Sequence, residues 1–166
     1  AEQLLEMITE TTIGYLKNQI KSGADMIQIF DSWTGVLPAE HYSQFSLKYI
    51  SKICDAINDV PITVFAKGAW WALPEIANLN CQTVGLDWNM DPAACKKILA
   101  TKTLQGNLDP CALYGADEAI KKATEHMLDQ FEGHPHIANL GHGVYPDTDP
   151  EKVKWFVECV KKYQRN

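Results

Sequence analysis

The sequence is almost without arginine. Of its 15 lysine and arginine residues only Arg165, next to the C-terminus, is an arginine. Sites that clamp a carboxylate or a phosphate through two parallel hydrogen bonds use guanidinium groups, so any such clamp must be supplied from elsewhere. The formal net charge is −6 and no basic stripe is present. Nucleic acids and anionic membranes are therefore not expected as partners.

Long apolar runs and paired cysteines are also missing. No run approaches the ~18 apolar residues that suggest a membrane span, and the first residues are amphipathic and acidic, unlike a secretion signal. The five cysteines are odd in number and contain no Cys-x-x-Cys pair. This usage predicts reduced thiols in a cytoplasmic protein and no zinc-finger site. The cysteines are Cys54, Cys81, Cys95, Cys111 and Cys159.

What the sequence does contain is a regular alternation of helices and short apolar strands. The pattern predicts helices over 1–22, 38–58, 70–78, 91–100, 117–131 and 150–163, and strands over 25–30, 61–66, 83–86, 103–107 and 136–139. Such alternation is typical of a parallel sheet with crossover helices. No strand alternates strictly between polar and apolar residues, which predicts that both faces of the sheet are covered.

Two α/β architectures fit this alternation, a doubly wound sheet and a (β/α)8 barrel. No glycine-rich phosphate-binding fingerprint follows the first strand, which disfavours a dinucleotide-binding fold. Five strands are too few to close an eight-stranded barrel, and the chain begins inside a helix without an initiator Met or a preceding strand. We therefore expect a partial (β/α)8 TIM barrel of about five βα units.

Functional side chains in parallel α/β folds gather at the carboxyl ends of strands. Several polar residues occupy such positions beside glycine or aromatic residues, which is typical of a lined pocket. They are Ser32 after the first predicted strand, Lys67 after the second, Asp87 after the third, Asn107 and Asp109 after the fourth, and His142 after the fifth.

Each candidate also has a structural interpretation. Ser32 could cap the following loop, and Lys67 could extend to solvent along its apolar stem. Asp87 and Asp109 are better explained as caps or loop braces than as catalytic acids. His142 lies between two glycines, which permit a close backbone approach and favour a functional role, although a structural one stays open.

A metal site is not expected. His134 and His136 have the spacing that places two rings on one face of a strand, but His134 precedes Pro135 in a predicted loop. His41 and His126 fall within predicted helices and are interpreted as surface or packing residues. The histidines and cysteines therefore offer no convincing set of metal ligands.

Four segments at the strand ends resemble one protein family. They are Gln28–Trp33 (QIFDSW), Phe65–Gly68 (FAKG), Gln105–Pro110 (QGNLDP) and Asn139–Val144 (NLGHGV). In this order and spacing they are similar to uroporphyrinogen decarboxylases, over essentially all 166 residues. The third and fourth segments are the specific ones.

The resemblance implies a (β/α)8 barrel that acts as a homodimer without metal or organic cofactor. It implies the carboxy-lyase reaction that converts the four acetate side chains of uroporphyrinogen III to methyl groups, giving coproporphyrinogen III in haem biosynthesis. It further implies that Ser32 and His142 hydrogen-bond substrate carboxylates and that Phe30 lies against the macrocycle. Lys67 and Asn107 are further candidates for substrate binding.

Other key groups of the family have no counterpart in this sequence. Its arginine-containing motif, its pyrrole-binding aspartate and an active-site tyrosine are expected upstream of residue 1. We therefore interpret 1–166 as the C-terminal part of a single barrel domain whose N-terminal part is absent. No catalytic residue is expected in this chain, which alone is predicted to be inactive.

Two alternatives remain. The first is a zinc- or corrinoid-dependent methyltransferase of the same superfamily, which would need a His/Cys zinc set near the strand ends. Phe65-Ala-Lys67 stands where a His-x-Cys would be expected. The second is a non-catalytic fragment with a structural or partner-binding role, which no feature of the sequence excludes.

Overall fold

A computed structural model describes residues 1–164, so Arg165 lies outside the described residues. Five parallel strands form one sheet in the sequential order β1-β2-β3-β4-β5. The strands are β1 (Ile27–Asp31), β2 (Ile62–Ala66), β3 (Thr83–Gly85), β4 (Thr103–Leu108) and β5 (His136–Leu140). The predicted α/β class with a parallel sheet is confirmed.

Helices separate these strands along the chain. They are α1 (Glu2–Lys21), α2 (Ala39–Tyr42), α3 (Lys48–Ala56), α4 (Leu73–Ile76), α5 (Pro92–Ile98), α6 (Asp117–Gln130) and α7 (Pro150–Lys162). A π-helical turn over Ser43–Leu47 joins α2 to α3, so the predicted helix over 38–58 is not regular. The predicted helix over 70–78 is a 3-10 turn followed by the single turn of α4. None of the helices in residues 1–164 is long and apolar enough to cross a membrane.

The predicted helix boundaries with a specific side-chain signal are confirmed. Gly23 ends α1 with a φ of +105°, which glycine adopts at little cost. Asp91 caps α5 by accepting from the amides of Ala93 and Ala94 at 3.2 and 3.1 Å. Asp149 caps α7 in the same way. Each cap precedes a proline in the first helical turn, where the missing amide costs nothing.

The chain forms two compact units, which divide after Val84. In the first unit β2 is buried along its whole length, and α3 packs its apolar face inward. Its core side chains include Tyr42, Ile62, Val64 and Ile76, each no more than 1% exposed.

The second unit begins at Gly85, and in it α6 packs against β4 and α7 packs against α6. It has a core of fully buried apolar side chains, as expected for a close-packed interior. Side chains that are no more than 1% exposed are Leu86, Leu99, Leu104, Leu113, Ile120 and Phe131.

The prediction that both faces of every strand are covered is wrong for β1 and β5. Phe30 in β1 is 66% exposed, and in β5 Ile137 is 37% exposed. Burial alternates along β5, with Ile137 and Asn139 more exposed than their neighbours. These are the first and last strands in the sheet order, and a strand with a neighbour on one side only has fewer groups to cover it.

Candidate functional site

Phe30 and Ser32, two of the substrate-binding candidates in the first unit, lie at the carboxyl end of β1. Phe30 meets the ring of Phe65 edge-on, with the ring centroids 6.0 Å apart, while most of its own surface stays exposed. Ser32 follows one residue after the strand and is exposed. An apolar ring and a hydroxyl group are therefore presented to solvent two residues apart.

The residues around Ser32 are firmly anchored. The Asp31 carboxylate accepts a hydrogen bond from the hydroxyl of Ser46 in the π-helical turn. The Asp31 carbonyl accepts from Thr34 Oγ1 at 2.9 Å and from the Lys67 amide at 3.1 Å. Thr34 is only 1% exposed. Ser32 thus extends from a rigid turn, and its hydroxyl need not be ordered by a ligand.

A close glycine contact joins this turn to the loop after β2. The Gly35 amide donates to the Lys67 carbonyl at 3.0 Å, and a Cβ on Gly35 would lie 3.2 Å from Gly68 Cα. Gly68 itself has a φ of +73°. Lys67 is half-buried at the end of β2. Its backbone is therefore fixed by hydrogen bonds on both sides. Lys67 follows the carboxyl end of β2, just as Ser32 follows the carboxyl end of β1.

In the second unit His142 is exposed and follows β5 by two residues. Its imidazole meets the indole of Trp88 edge-on, with the centroids 6.1 Å apart. The preceding Gly141 donates its amide to the Leu108 carbonyl at 2.7 Å, and a Cβ there would lie 2.3 Å from the Trp88 amide nitrogen. The close approach expected of these glycines is present at Gly141, whereas Gly143 has no neighbour within 4 Å.

Asn107 is buried in the second unit, at 8% exposure. Its side-chain amide donates to the carbonyls of Asp87 and Met90, at 3.0 and 2.9 Å. Both carbonyls belong to the loop after β3. Asp87 is 1% exposed and accepts from the Asn89 amide at 2.9 Å. This loop is therefore held from within by Asp87 and from β4 by Asn107.

The structural interpretation of the acidic residues and of the paired histidines is supported. Asp109 Oδ1 accepts from the Cys111 amide at 2.8 Å, which makes it a cap. His134 and His136 each make a ring-nitrogen hydrogen bond to a backbone carbonyl, at 2.9 and 2.6 Å. Within the described part of the chain, no group of three or more His, Cys, Asp or Glu residues is placed to hold a metal ion.

A cavity of about 420 Å³ lies in the second unit behind the loop after β3. This cavity could not be predicted from the sequence, because its walls come from a loop, a strand end and a helix face far apart in the chain. His142 does not line it. The lining includes Trp88, Met90, Asn107, Leu108, His126 and Met127.

Two buried groups outside the predicted site have raised pKa values. Burial raises the pKa of the Tyr42 hydroxyl well above its usual value, and the nearby carboxylates of Asp31 and Glu75 add to the effect. Burial, with Asp91 and Asp87 nearby, raises the pKa of the Cys95 thiol to about 11. Neither group is poised to exchange protons near neutral pH.

Comparison with known proteins adds the family. The family model described as "Uroporphyrinogen decarboxylase (URO-D)" matches residues 1–163. Proteins named uroporphyrinogen decarboxylase from Campylobacter hominis, Homo sapiens and Salinibacter ruber are 46%, 41% and 40% identical over 96%, 99% and 100% of this chain. In each case the match covers 48% of the relative, so the chain spans about half the length of these curated relatives.

A methyltransferase from Methanosarcina mazei has a similar structure, with a TM-score of 0.86 over 97% of this chain and 49% of the other. The sequences are 24% identical, so the likeness concerns the fold. It supports the predicted partial barrel. The sequence match extends over nearly the whole chain and identifies the family as well as the fold. This chain belongs to the uroporphyrinogen decarboxylase family.

Proposed function

We propose that this chain is the C-terminal part of a uroporphyrinogen decarboxylase. The complete enzyme would be a carboxy-lyase that converts the four acetate side chains of uroporphyrinogen III to methyl groups, yielding coproporphyrinogen III in haem biosynthesis. The family match over residues 1–163 carries this proposal. The match with about half of each relative supports the view that the remaining half supplies further groups.

In this proposal Ser32 and His142 each hydrogen-bond a carboxylate of the substrate. Both are exposed and both directly follow the carboxyl end of a parallel strand. A hydrogen bond to a charged partner contributes about 1.5–3 kcal/mol, enough to orient a bound substrate. Phe30 would lie against the apolar face of the macrocycle, as its 66% exposure permits.

Lys67 and Asn107 are weaker candidates for substrate contact. The Lys67 ammonium would attract the carboxylates, which are ionised at neutral pH. Asn107 has less to offer a ligand directly, because its side chain is buried and its amide donates to two backbone carbonyls.

The reaction needs an electron acceptor, and the substrate can provide one. A pyrrole ring protonated on carbon accepts the electron pair released when the acetate C–C bond breaks and CO2 leaves. A proton then adds to the methylene carbon, the ring proton is lost, and a methyl group remains. The protein's task is to orient the macrocycle and stabilise charge, so the proposal includes neither metal nor organic cofactor. The acid is proposed to lie in the half that this chain does not include.

The proposal extends to the setting of the enzyme. The complete protein would act as a homodimer in the cytoplasm, as the family resemblance implies. Its substrate carries eight carboxylates, while this chain has a net charge of −6 and a single arginine. The cations that hold the substrate would therefore come from the other half, and this chain alone would not decarboxylate uroporphyrinogen.

The test is coproporphyrin release by the purified chain, alone and mixed with the half of the Campylobacter hominis relative that this chain does not match. We expect no release from the chain alone and release from the mixture. EDTA should not change the rate, whereas a zinc-dependent methyltransferase would lose its metal. Turnover by the chain alone, or an inactive mixture that nevertheless forms a stable complex, would contradict the proposal.

The role of His142 is tested in the active mixture by comparing His142→Asn with His126→Asn. Both histidines are exposed, but His126 lies on α6. We expect the first variant to raise KM roughly 10-fold or more, since a charge-assisted hydrogen bond is lost. The second should behave like the unaltered chain, and equal effects of the two would argue against a contact between His142 and the substrate.

A further inference from the structure

We propose that Asn107 and Trp88 are positioning residues that fix the direction of the His142 imidazole. The proposal rests on the role of His142 put forward above and adds two residues that act through it. All three belong to the second compact unit. They are linked by hydrogen bonds, a ring contact and a close backbone contact that can each be altered separately.

The first link runs from Asn107 to the loop after β3. Both hydrogens of the Asn107 amide are donated to carbonyls of this loop, at Asp87 and at Met90. The two carbonyls flank Trp88, and the side chain of Asn107 is 8% exposed. Without this amide, the buried Met90 carbonyl would lose its hydrogen bond from Asn107, while the Asp87 carbonyl would keep the one from the Met90 amide at 3.2 Å. The loop would lose its tie to β4 and would have to rearrange so that the Met90 carbonyl could reach water.

The second link is the backbone contact between this loop and the residue before His142. Gly141 approaches the Trp88 amide so closely that a Cβ would lie 2.3 Å from its nitrogen and 2.9 Å from Trp88 Cα. The Gly141 amide is meanwhile held by the Leu108 carbonyl at 2.7 Å. A shift of the Trp88 backbone would therefore displace Gly141 and, with it, the backbone of His142.

The third link is the ring contact. The indole of Trp88 and the imidazole of His142 are 6.1 Å apart at an interplanar angle of 77°. Edge-to-face contacts of this kind restrict ring rotation and favour one orientation. An exposed histidine in a glycine-flanked loop would otherwise sample several rotamers, and a ligand would have to select one of them. Asn107 thus acts two steps away from the substrate.

The positioning can be measured without any substrate. In the purified chain the ring-proton NMR signals of His142, assigned with His142→Asn, report the ring current of Trp88. We expect Trp88→Leu to move these signals and Trp88→Phe to move them less, because an aromatic ring remains. Asn107→Ala should move them in the same direction as Trp88→Leu. Should that variant not fold, Asn107→Ser, which keeps one donor, takes its place.

The matched control is Asn89→Ala, which removes an exposed side-chain amide from the same loop. It leaves the side chains of Trp88, Asn107 and His142 unaltered. It should leave the His142 signals unchanged. Signals that stay in place in both the Asn107 and the Trp88→Leu variants would overturn the proposal. A purely structural role for Asn107 would lower stability and leave the His142 signals where they are.

The consequence for catalysis is tested in the active mixture of chain and complementary half. Asn107→Ala should raise KM roughly 5- to 10-fold. The increase should not exceed that of His142→Asn, because a misplaced imidazole can lose at most its own hydrogen bond to the carboxylate. Combined with His142→Asn it should add little, because both changes remove the same contact. Additive effects would overturn the positioning role. If His142→Asn leaves KM unchanged while the NMR coupling persists, it is the proposed function of His142 that fails.

Discussion

At the scale of single residues, burial separates groups that the sequence presents as equivalent. Five cysteines are spread through the chain, yet only Cys111 is exposed. Cys111 lies in the 3-10 turn Pro110–Tyr114, and its sulfur is 4.0 Å from the Tyr145 hydroxyl. The other four are enclosed by the apolar side chains of their units. Chemical reactivity should therefore differ sharply among the thiols.

Alkylation with iodoacetamide at pH 7.5 should label one cysteine of the native chain. Cys111 is accessible, whereas the Cys95 thiol is buried and its pKa is raised to about 11, which leaves very little thiolate. Intact mass spectrometry should show a single adduct, and none after Cys111→Ser. Rapid labelling of Cys95 in the native chain would contradict the described packing.

Tyr42 offers a second test at this scale. Its hydroxyl is buried and no hydrogen-bond partner is present among the described residues. Tyr42→Phe should therefore change the free energy of unfolding at pH 7 by no more than about 1 kcal/mol in either direction.

The difference should grow in alkali. Because burial raises the pKa of Tyr42 in the folded chain, the stability linked to this group is complete below pH ~10, the ordinary tyrosine value, and is lost as the pH rises above it. Above pH 10 Tyr42→Phe should lose stability more slowly than the unaltered chain, measured by urea denaturation from pH 8 to 11. Parallel pH curves for the two proteins would contradict the raised pKa.

At the scale of elements, the loops after the strands carry the candidate site, and their shape depends on close backbone contacts. Gly141 is pressed against Trp88, whereas Gly143, two residues further on, faces open space. Neither has a positive φ. The two glycines therefore differ in surroundings, while neither needs a φ that disfavours other residues, which makes them a useful pair for comparison.

Gly141→Ala should lower the free energy of unfolding by about 1–3 kcal/mol, because the new methyl group meets backbone atoms that cannot rotate away. Gly143→Ala should stay within about 0.5 kcal/mol of the unaltered chain. Urea denaturation followed by tryptophan fluorescence measures both. A neutral Gly141→Ala would mean that the loop is looser than described.

The elements also show what could be predicted from the sequence and what could not. Helix starts at Asp91 and Asp149 were predictable because an acceptor side chain followed by proline is a local signal. The candidate residues Ser32 and His142 were placed by their position after apolar strands. The anchor Ser46 was missed, since its role arises from a contact with Asp31, 15 positions away in the chain. The π-helical turn likewise has no periodic signature.

At the scale of the whole molecule, an apolar stripe along α1 has no cover among the described residues. Leu4, Ile8 and Tyr15 recur at spacings of four and seven and are 60%, 51% and 61% exposed, with Met7 beside them at 60%. They lie on a different side of the helix from Thr9 and Leu16, which are buried. Contiguous apolar patches of this kind are uncommon on monomers.

We expect the isolated chain to associate, and to do so less once the complementary half of a relative is added. Light scattering coupled to gel filtration should give a mass above 18.6 kDa. The double substitution Leu4→Glu and Ile8→Glu should shift the chain toward monomer. Lys17→Glu, an exposed position off the stripe, is the control for charge. A monodisperse monomer with no binding of an apolar dye would contradict this expectation.

The close packing of Gly141 against Trp88 affects how the results of systematic mutagenesis of this protein should be interpreted. In a screen for folded protein that substitutes every position, any replacement of Gly141 should lower the yield of folded chain, because a side chain there would meet the backbone of Trp88. A second-site change in the loop at Trp88 would be needed to restore folding. Sensitivity to substitution at position 141 would therefore indicate a packing requirement of the backbone. It would not by itself identify a residue that contacts a ligand.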